Sequence, residues 1–158
     1  MGFLVMGLPR SRTFWLSRLL GGVHDPSAAH LNFYALLNTL QTCGGVDTGL
    51  VLKYPQIRWH LPGLPCAAVF RPIQDVEASL TKLGIKIPLQ PFIDALEALK
   101  SDPSVLCLSY AALDLFDCCD KLHRHCRNTP LSRPFWEQLR RVNLQCDAAK
   151  QLAARSPL

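Results

Sequence analysis

The chain has 158 residues, of which 49% are hydrophobic and 18% charged, a balance that excludes a disordered polymer, gives no support to a coiled coil, and suits one folded domain better than two. Its 17 lysines and arginines against 12 acidic residues leave a formal charge of +5, dispersed along the chain. That excess fits an anionic small ligand and offers no basic arm or stripe of the kind that binds nucleic acid.

Seven cysteines, odd in number and irregular in spacing, point away from a disulfide scaffold and toward a reducing, cytoplasmic compartment. The apolar start Phe3-Leu4-Val5-Met6 is too short to span a membrane and lacks a signal peptide's basic lead and cleavage site. Met6 stands where an N-terminal lipidation signal needs Ser or Thr, so no membrane association is expected, and the domain is expected to begin almost at its first residue.

Residues 3–8 form an unbroken apolar run, which predicts a strand buried on both faces. A helix follows from Arg12 to Leu20, with Phe14, Leu16, Leu19 and Leu20 on one face and Gly21-Gly22 at its end. Asp25-Pro26-Ser27 starts a second helix that runs to Thr42, with Leu31, Tyr34, Leu37 and Leu40 at helical spacing and Gly44-Gly45 closing it. Residues 49–64 read equally as strand or helix start, interrupted by Pro55, Pro62 and Pro65. Cys66–Phe70 is a second apolar run, followed by Arg71-Pro72 and a helix that turns Val76, Leu80 and Leu83 to one side and stops at Gly84. Pro91–Lys100 predicts a short helix, Ser104–Tyr110 a third strand, and residues 111–126 another helix. After the Pro130–Pro134 break, a C-terminal amphipathic helix is expected from Phe135 to Ala154, carrying Phe135, Leu139, Val142 and Leu144. Strands alternating with helices imply a single α/β domain over residues 1–158, with a mostly parallel sheet flanked by helices. Ligands then belong beyond the carboxyl ends of the strands.

The segment Gly7-Leu8-Pro9-Arg10-Ser11-Arg12-Thr13 lies where such folds bind phosphate, between a strand end and a helix N-terminus with free N–H groups. Ser11 and Thr13 add hydroxyls, and Arg10 and Arg12 add planar cationic forks. It is not a Walker A loop, which ends Gly-Lys-Ser/Thr, because Arg12 precedes Thr13. A plain surface turn with incidental arginines explains the same residues.

The pattern Pro9-Arg10-Ser11-x-Thr13-x-Trp15 resembles the 5′-phosphosulfate loop of sulfotransferases, whose donor is 3′-phosphoadenosine 5′-phosphosulfate. Family loops commonly carry Gly where Arg12 stands. A second segment, Arg71-Pro72-Ile73-Gln74-Asp75-Val76-Glu77-Ala78-Ser79, is similar to the family's 3′-phosphate motif, an Arg and a Ser eight residues apart. Here these are Arg71 and Ser79, with Asp75 ordering the helix start; a helix-opening ion pair and an ordinary helix-face serine are the plainer alternative. The resemblance extends through Val46–Leu50, Tyr110, Leu113 and Trp136–Asn143 to a compact bacterial and phage type of sulfotransferase-like protein.

The resemblance implies a three-layer P-loop-type fold and sulfuryl transfer to a small hydroxyl or amine acceptor, free or as part of a conjugate, with no metal required. It assigns Arg10 to the leaving oxygen and Pro9, Arg10, Ser11, Arg12 and Thr13 to the 5′-phosphosulfate. Arg71 and Ser79 fall to the 3′-phosphate, and His24 becomes the general base, with Asp25 orienting it or taking its place. His24 also reads as a surface or capping histidine, and His30 and His60 are other imidazoles available. Cys118, Cys119, His123, His125 and Cys126 crowd one helix, but a single helix is a poor zinc site, and buried thiols beside surface histidines account for them. Trp15, Trp59 and Trp136 are expected as core or half-buried packing residues. A homodimer is compatible with this reading. The rival functions are a non-catalytic nucleotide-binding protein of the same fold and a small P-loop phosphoryl-transfer enzyme using ATP or GTP.

Overall fold

The computed structural model describes residues 1–29 and 32–142. Five strands, β1 (Leu4–Gly7), β2 (Val23–His24), β3 (Gly45–Asp47), β4 (Cys66–Phe70) and β5 (Val105–Ser109), form one sheet in the order β2-β3-β1-β4-β5. All four pairings are parallel, with Val5 opposite Val46 on one side and Ala67 on the other. The α/β architecture expected from the sequence is thus present, with every strand parallel.

Eight α-helices flank the sheet: α1 (Thr13–Leu20), α2 (Pro26–Ala29), α3 (Phe33–Thr42), α4 (Tyr54–His60), α5 (Ile73–Lys82), α6 (Gln90–Ala98), α7 (Phe116–Arg127) and α8 (Arg133–Arg141) among the described residues. The two-residue period of β1 divides the core. Leu4 and Met6 pack with Leu36, Leu40, Ile57 and Val76 on one face, while Phe3 and Val5 pack with Leu16, Leu19, Leu122 and Trp136 on the other. Helices α3 to α6 therefore cover one side, and α1, α7 and α8 the other. A strand enclosed in this way must be apolar throughout, as the run from Phe3 to Met6 is.

Glycines end the early helices as their positions require. Gly44 follows α3 at φ 78°, and a side chain there would overlap the Phe3 ring. Arg127, the last residue of α7, donates to the carbonyls of Leu20 (2.6 Å), Met1 (2.8 Å), Gly21 (2.7 Å) and Cys43 (3.0 Å), with its guanidinium 4.6 Å from the Phe3 ring centre. One side chain so ties α7 to the end of α1 and to the amino-terminal edge of the sheet.

Several expectations change. The span from Asp25 to Thr42 contains two helices, α2 and α3, and Leu31 lies outside the described residues. Asn32 caps α3 by accepting from the Tyr34 N–H, which turns Tyr34 to solvent at 73% exposure, off the core face. The open region 49–64 is helical, a 3-10 turn over Leu50–Lys53 and then α4, because Pro55 falls in the first turn, where its missing N–H costs nothing. Two short strands were not foreseen: β2 has two residues and β3 three, too few for a periodic signal. Residues 111–126 form a 3-10 turn (Tyr110–Asp114) and then α7, not one helix. Leu83 is 41% exposed and Trp59 84% exposed, so neither is a core residue, whereas Trp15 and Trp136 are buried. Leu144 and the expected helix beyond Val142 lie outside the described residues. Among the described residues no helix is long and apolar enough to cross a membrane.

Candidate functional site

After Gly7 the chain leaves the sheet and enters α1 through a turn in which Arg10 (φ 67°) and Arg12 (φ 59°) are both left-handed. That conformation costs an L-residue about 1–2 kcal/mol, so the turn is held by its surroundings and not by local preference. Turns of this kind gather backbone N–H groups into an anion-binding concavity. Arg12 is the N-cap of α1 without any side-chain cap bond, and the first turn of α1 carries no acidic residue, so nothing acidic on the helix itself offsets its positive end. Arg12 thus holds a backbone conformation that ordinarily favours glycine.

Sheet order explains how the second segment reaches the first. Strands β1 and β4 are neighbours in register, Gly7 opposite Val69, so the loops leaving their carboxyl ends are adjacent. Arg10 Nε donates to Ser79 Oγ (3.1 Å), and Arg71 Nη1 donates to the Arg10 carbonyl. Arg71 Nε is buried with no hydrogen-bond partner among the described residues, a donor of the kind a bound anion satisfies. Asp75 sits in the first turn of α5, where its charge suits the helix dipole.

The strand ends open onto a cleft of about 510 Å³, within the range of small-molecule sites. Pro9, Arg10, Arg12, Thr13, Arg71, Ser79 and His24 all line it. Ser11 does not: it is fully buried beside Gly7, behind the loop, and its Oγ has no partner among the described residues. Five arginines, Arg10, Arg12, Arg71, Arg140 and Arg141, face two carboxylates, Asp25 and Asp114, around the described wall. The described wall therefore carries an excess of positive charge, which attracts anions. Beyond Ser79 it becomes apolar through Leu80, Leu83, Ile85 and Ile87.

His24 ends β2, on the far side of β3 from β1, and its Nε2 lies 3.1 Å from Thr13 Oγ1 and 3.5 Å from Asp25 Oδ2. The ring also meets Phe14 edge-on at 5.3 Å. This places the His24 imidazole beside the loop and next to Asp25. His60 instead packs against Phe33 and Tyr34, and His30 lies outside the described residues. Asp47, at the end of β3, is fully buried and accepts from the N–H groups of Ser27, Gly49 and Leu50, so it organises the neighbouring loops.

Three features of the cleft were missed as site residues. Arg12 Nη1 pairs with Asp114 at 2.8 Å, and the guanidinium groups of Arg12 and Arg71 lie 4.9 and 4.6 Å from the Tyr110 ring centre. Burial pulls the Arg12 pKa down, but the hydrogen bond to Asp114 and the proximity of Tyr110 outweigh it and hold it above the ordinary arginine value. Arg140 approaches the same Asp114 at 3.8 Å. The available sequence signal was position: Tyr110 directly follows an apolar strand, at its carboxyl end. The cysteine and histidine residues of α7 do other work. Cys119 and Cys126 are core thiols that burial pushes up to about 11 and about 12, and His123 and His125 hydrogen-bond to the carbonyls of Thr129 and Cys66.

No protein-family model matches this chain. No curated protein matches it significantly. Among solved structures it is similar to a gluconokinase from Sinorhizobium meliloti 1021, with 15% sequence identity and a TM-score of 0.48 over 99% of this chain and 98% of that one. A superposition this loose carries no activity from one protein to the other.

Proposed function

We propose that this protein binds 3′-phosphoadenosine 5′-phosphosulfate and transfers its sulfuryl group to a small hydroxyl or amine acceptor. The observation that supports this reading is the meeting of Arg10, Arg12 and Thr13 with Arg71 and Ser79 in one cleft, from two loops distant in sequence. A nucleoside with anionic groups on both its 3′ and 5′ oxygens requires two cationic positions at a fixed separation, and a single phosphate requires one. In the transfer, the bond from the acceptor heteroatom to sulfur forms as the bond from sulfur to the 5′-phosphate oxygen breaks. The electron pair leaves on that oxygen and the acceptor's proton goes to a base. Arg10 supplies charge to the leaving oxygen and Thr13 a hydroxyl donor. An acceptor hydroxyl that takes Thr13's place at His24 Nε2 hands its proton to the imidazole, beside the Asp25 carboxylate.

The second reading is phosphoryl transfer from ATP or GTP. Thr13 opens α1, where nucleotide-phosphate loops place the hydroxyl that holds Mg²⁺, although here it is bonded to His24. This is also the class to which the similar gluconokinase's name points, at a superposition too loose to decide. A thermal-shift comparison separates the two. Adenosine 3′,5′-bisphosphate at a hundred times its Kd, without Mg²⁺, should stabilise the protein by about 2.7 kcal/mol. For a chain of this size that raises Tm by roughly 5–10 °C. Equal or greater stabilisation by Mg²⁺-ATP, or none by the bisphosphate, overturns the sulfotransferase reading. Sulfate transfer over an acceptor panel then distinguishes enzyme from binder. His24→Ala should lose turnover while keeping bisphosphate binding, and retained turnover removes His24 as the base.

A further inference from the structure

The chain leaving β5 turns immediately into the 3-10 segment Tyr110–Asp114, and the Ser109 side chain fixes its start by accepting from the Ala112 N–H at 3.2 Å. This short turn meets both arginine-bearing loops. The Arg12 guanidinium, from the loop after β1, is 4.9 Å from the Tyr110 ring centre, and the Arg71 guanidinium, from the loop after β4, is 4.6 Å from it. Two like charges drawn toward one ring repel each other, and the negative faces of the aromatic quadrupole offset that repulsion. The outer contacts hold each cation in place: Asp114 binds Arg12 at 2.8 Å, and the Arg10 carbonyl accepts from Arg71. The Arg71 Nε that remains buried and unpartnered among the described residues completes a donor set held ready for a ligand.

We infer that Tyr110 is a positioning residue that sets Arg12 and Arg71 as a fixed pair of anion sites, so that the cleft selects a ligand with two separate anionic groups over one with a single phosphate. The identity of that ligand as a nucleoside 3′,5′-bisphosphate rests on the function proposed above, whereas the pairing of the arginines does not.

The test uses the full chain as wild type, Tyr110→Phe, which keeps the ring, and Tyr110→Leu, which removes it. Tyr110→Met replaces the leucine variant if that variant loses cooperative unfolding. Titration with adenosine 3′,5′-bisphosphate and with adenosine 5′-monophosphate gives a ratio of affinities, which a general loss of stability does not move. The leucine variant should lose about tenfold of the preference for the bisphosphate, the scale of a partly desolvated cation–π contact, and the phenylalanine variant should keep it. A leucine variant that keeps the ratio or weakens both ligands equally, a phenylalanine variant that behaves like leucine, or a wild type that binds the two ligands equally overturns the inference. If the wild type binds neither nucleotide, the function proposed above falls, and the arginine Nε–Hε resonances still judge Tyr110. Ring-shifted Arg12 and Arg71 signals in wild type and Tyr110→Phe, lost in Tyr110→Leu, support the pairing, and identical signals in all three refute it.

Discussion

Replacing Arg71 with alanine removes three things at once: a donor to the Arg10 carbonyl, a cation stacked 4.6 Å from the Tyr110 ring centre, and the buried Nε that has no partner among the described residues. The first loss falls on the free protein, where one hydrogen bond to a loop carbonyl contributes about 1 kcal/mol. The loss on the ligand side is larger. Hydrogen bonds to charged groups contribute about 1.5–3 kcal/mol each, and loss of one guanidinium site on a phosphate should cost about 2–3 kcal/mol in all. That is a rise in Kd of roughly 30- to 140-fold for adenosine 3′,5′-bisphosphate. Isothermal titration without Mg²⁺ measures it, with adenosine 5′-monophosphate as the control. The monophosphate keeps the Arg10–Thr13 loop and should weaken by less than about threefold. Arg71→Lys keeps the charge but not the fork, and should fall between wild type and alanine. Bisphosphate binding within about threefold of wild type would sink the assignment of Arg71 to the second anion, and equal weakening of both nucleotides would show it acting only through the Arg10 loop.

Other substitutions probe the scaffold around the site. Arg12→Gly should be more stable than Arg12→Ala by about 1 kcal/mol in urea unfolding, because both lose the Asp114 pair but only glycine sheds the strain of φ 59°. Alanine equal to or better than glycine would show that the left-handed turn stores no strain. Arg127→Ala leaves four carbonyls without their shared donor and should lower unfolding free energy by about 3 kcal/mol, read from denaturant midpoints at unchanged m. Asp102 accepts from the Ser104 hydroxyl and from Tyr54 Oη–H at 2.6 Å, and these bonds hold its carboxyl below the ordinary carboxylate value. A depressed carboxylate contributes stability above its unfolded pKa and loses it as pH falls through the folded one. The acid limb of a stability–pH curve should therefore flatten in Asp102→Asn, and an unchanged limb would contradict the cause assigned.

Much of the site was legible because its chemistry is local in sequence. The run from Gly7 to Thr13 combines a strand end, a turn and a helix start within seven residues, and each part has its own composition signal. The same holds for Cys66–Phe70 followed by Arg71 and a helix carrying Ser79. Ser11 was misplaced because nothing in its neighbours reveals whether a turn residue points to the cleft or back beneath the loop. Arg10 and Arg12 are left-handed without being glycine, which composition does not signal. Tyr110 and Asp114 were missed as site residues because their role depends on arginines remote in sequence: Asp114 pairs with Arg12 across 102 residues of chain. Trp59 was assigned to packing on residue type alone, and the structure leaves it 84% exposed.

By itself the sequence determined the class of fold, since alternating apolar runs and amphipathic segments have few ways to bury both faces of a sheet. It also determined the cationic and hydroxyl composition of two loops. The resemblance assigned the two loops to one ligand, but how they come to line one cleft was decided by tertiary structure. The order β2-β3-β1-β4-β5 puts β4 directly beside β1, although three helices and two strands separate α1 from β4 along the chain, so Arg71 and Ser79 arrive against Arg10. The same order carries β5 outward beyond β4 and brings the Tyr110 turn over both arginines. The physical reason is that strand order follows from which helices cover which face, a collective outcome of packing that no local stretch of residues encodes.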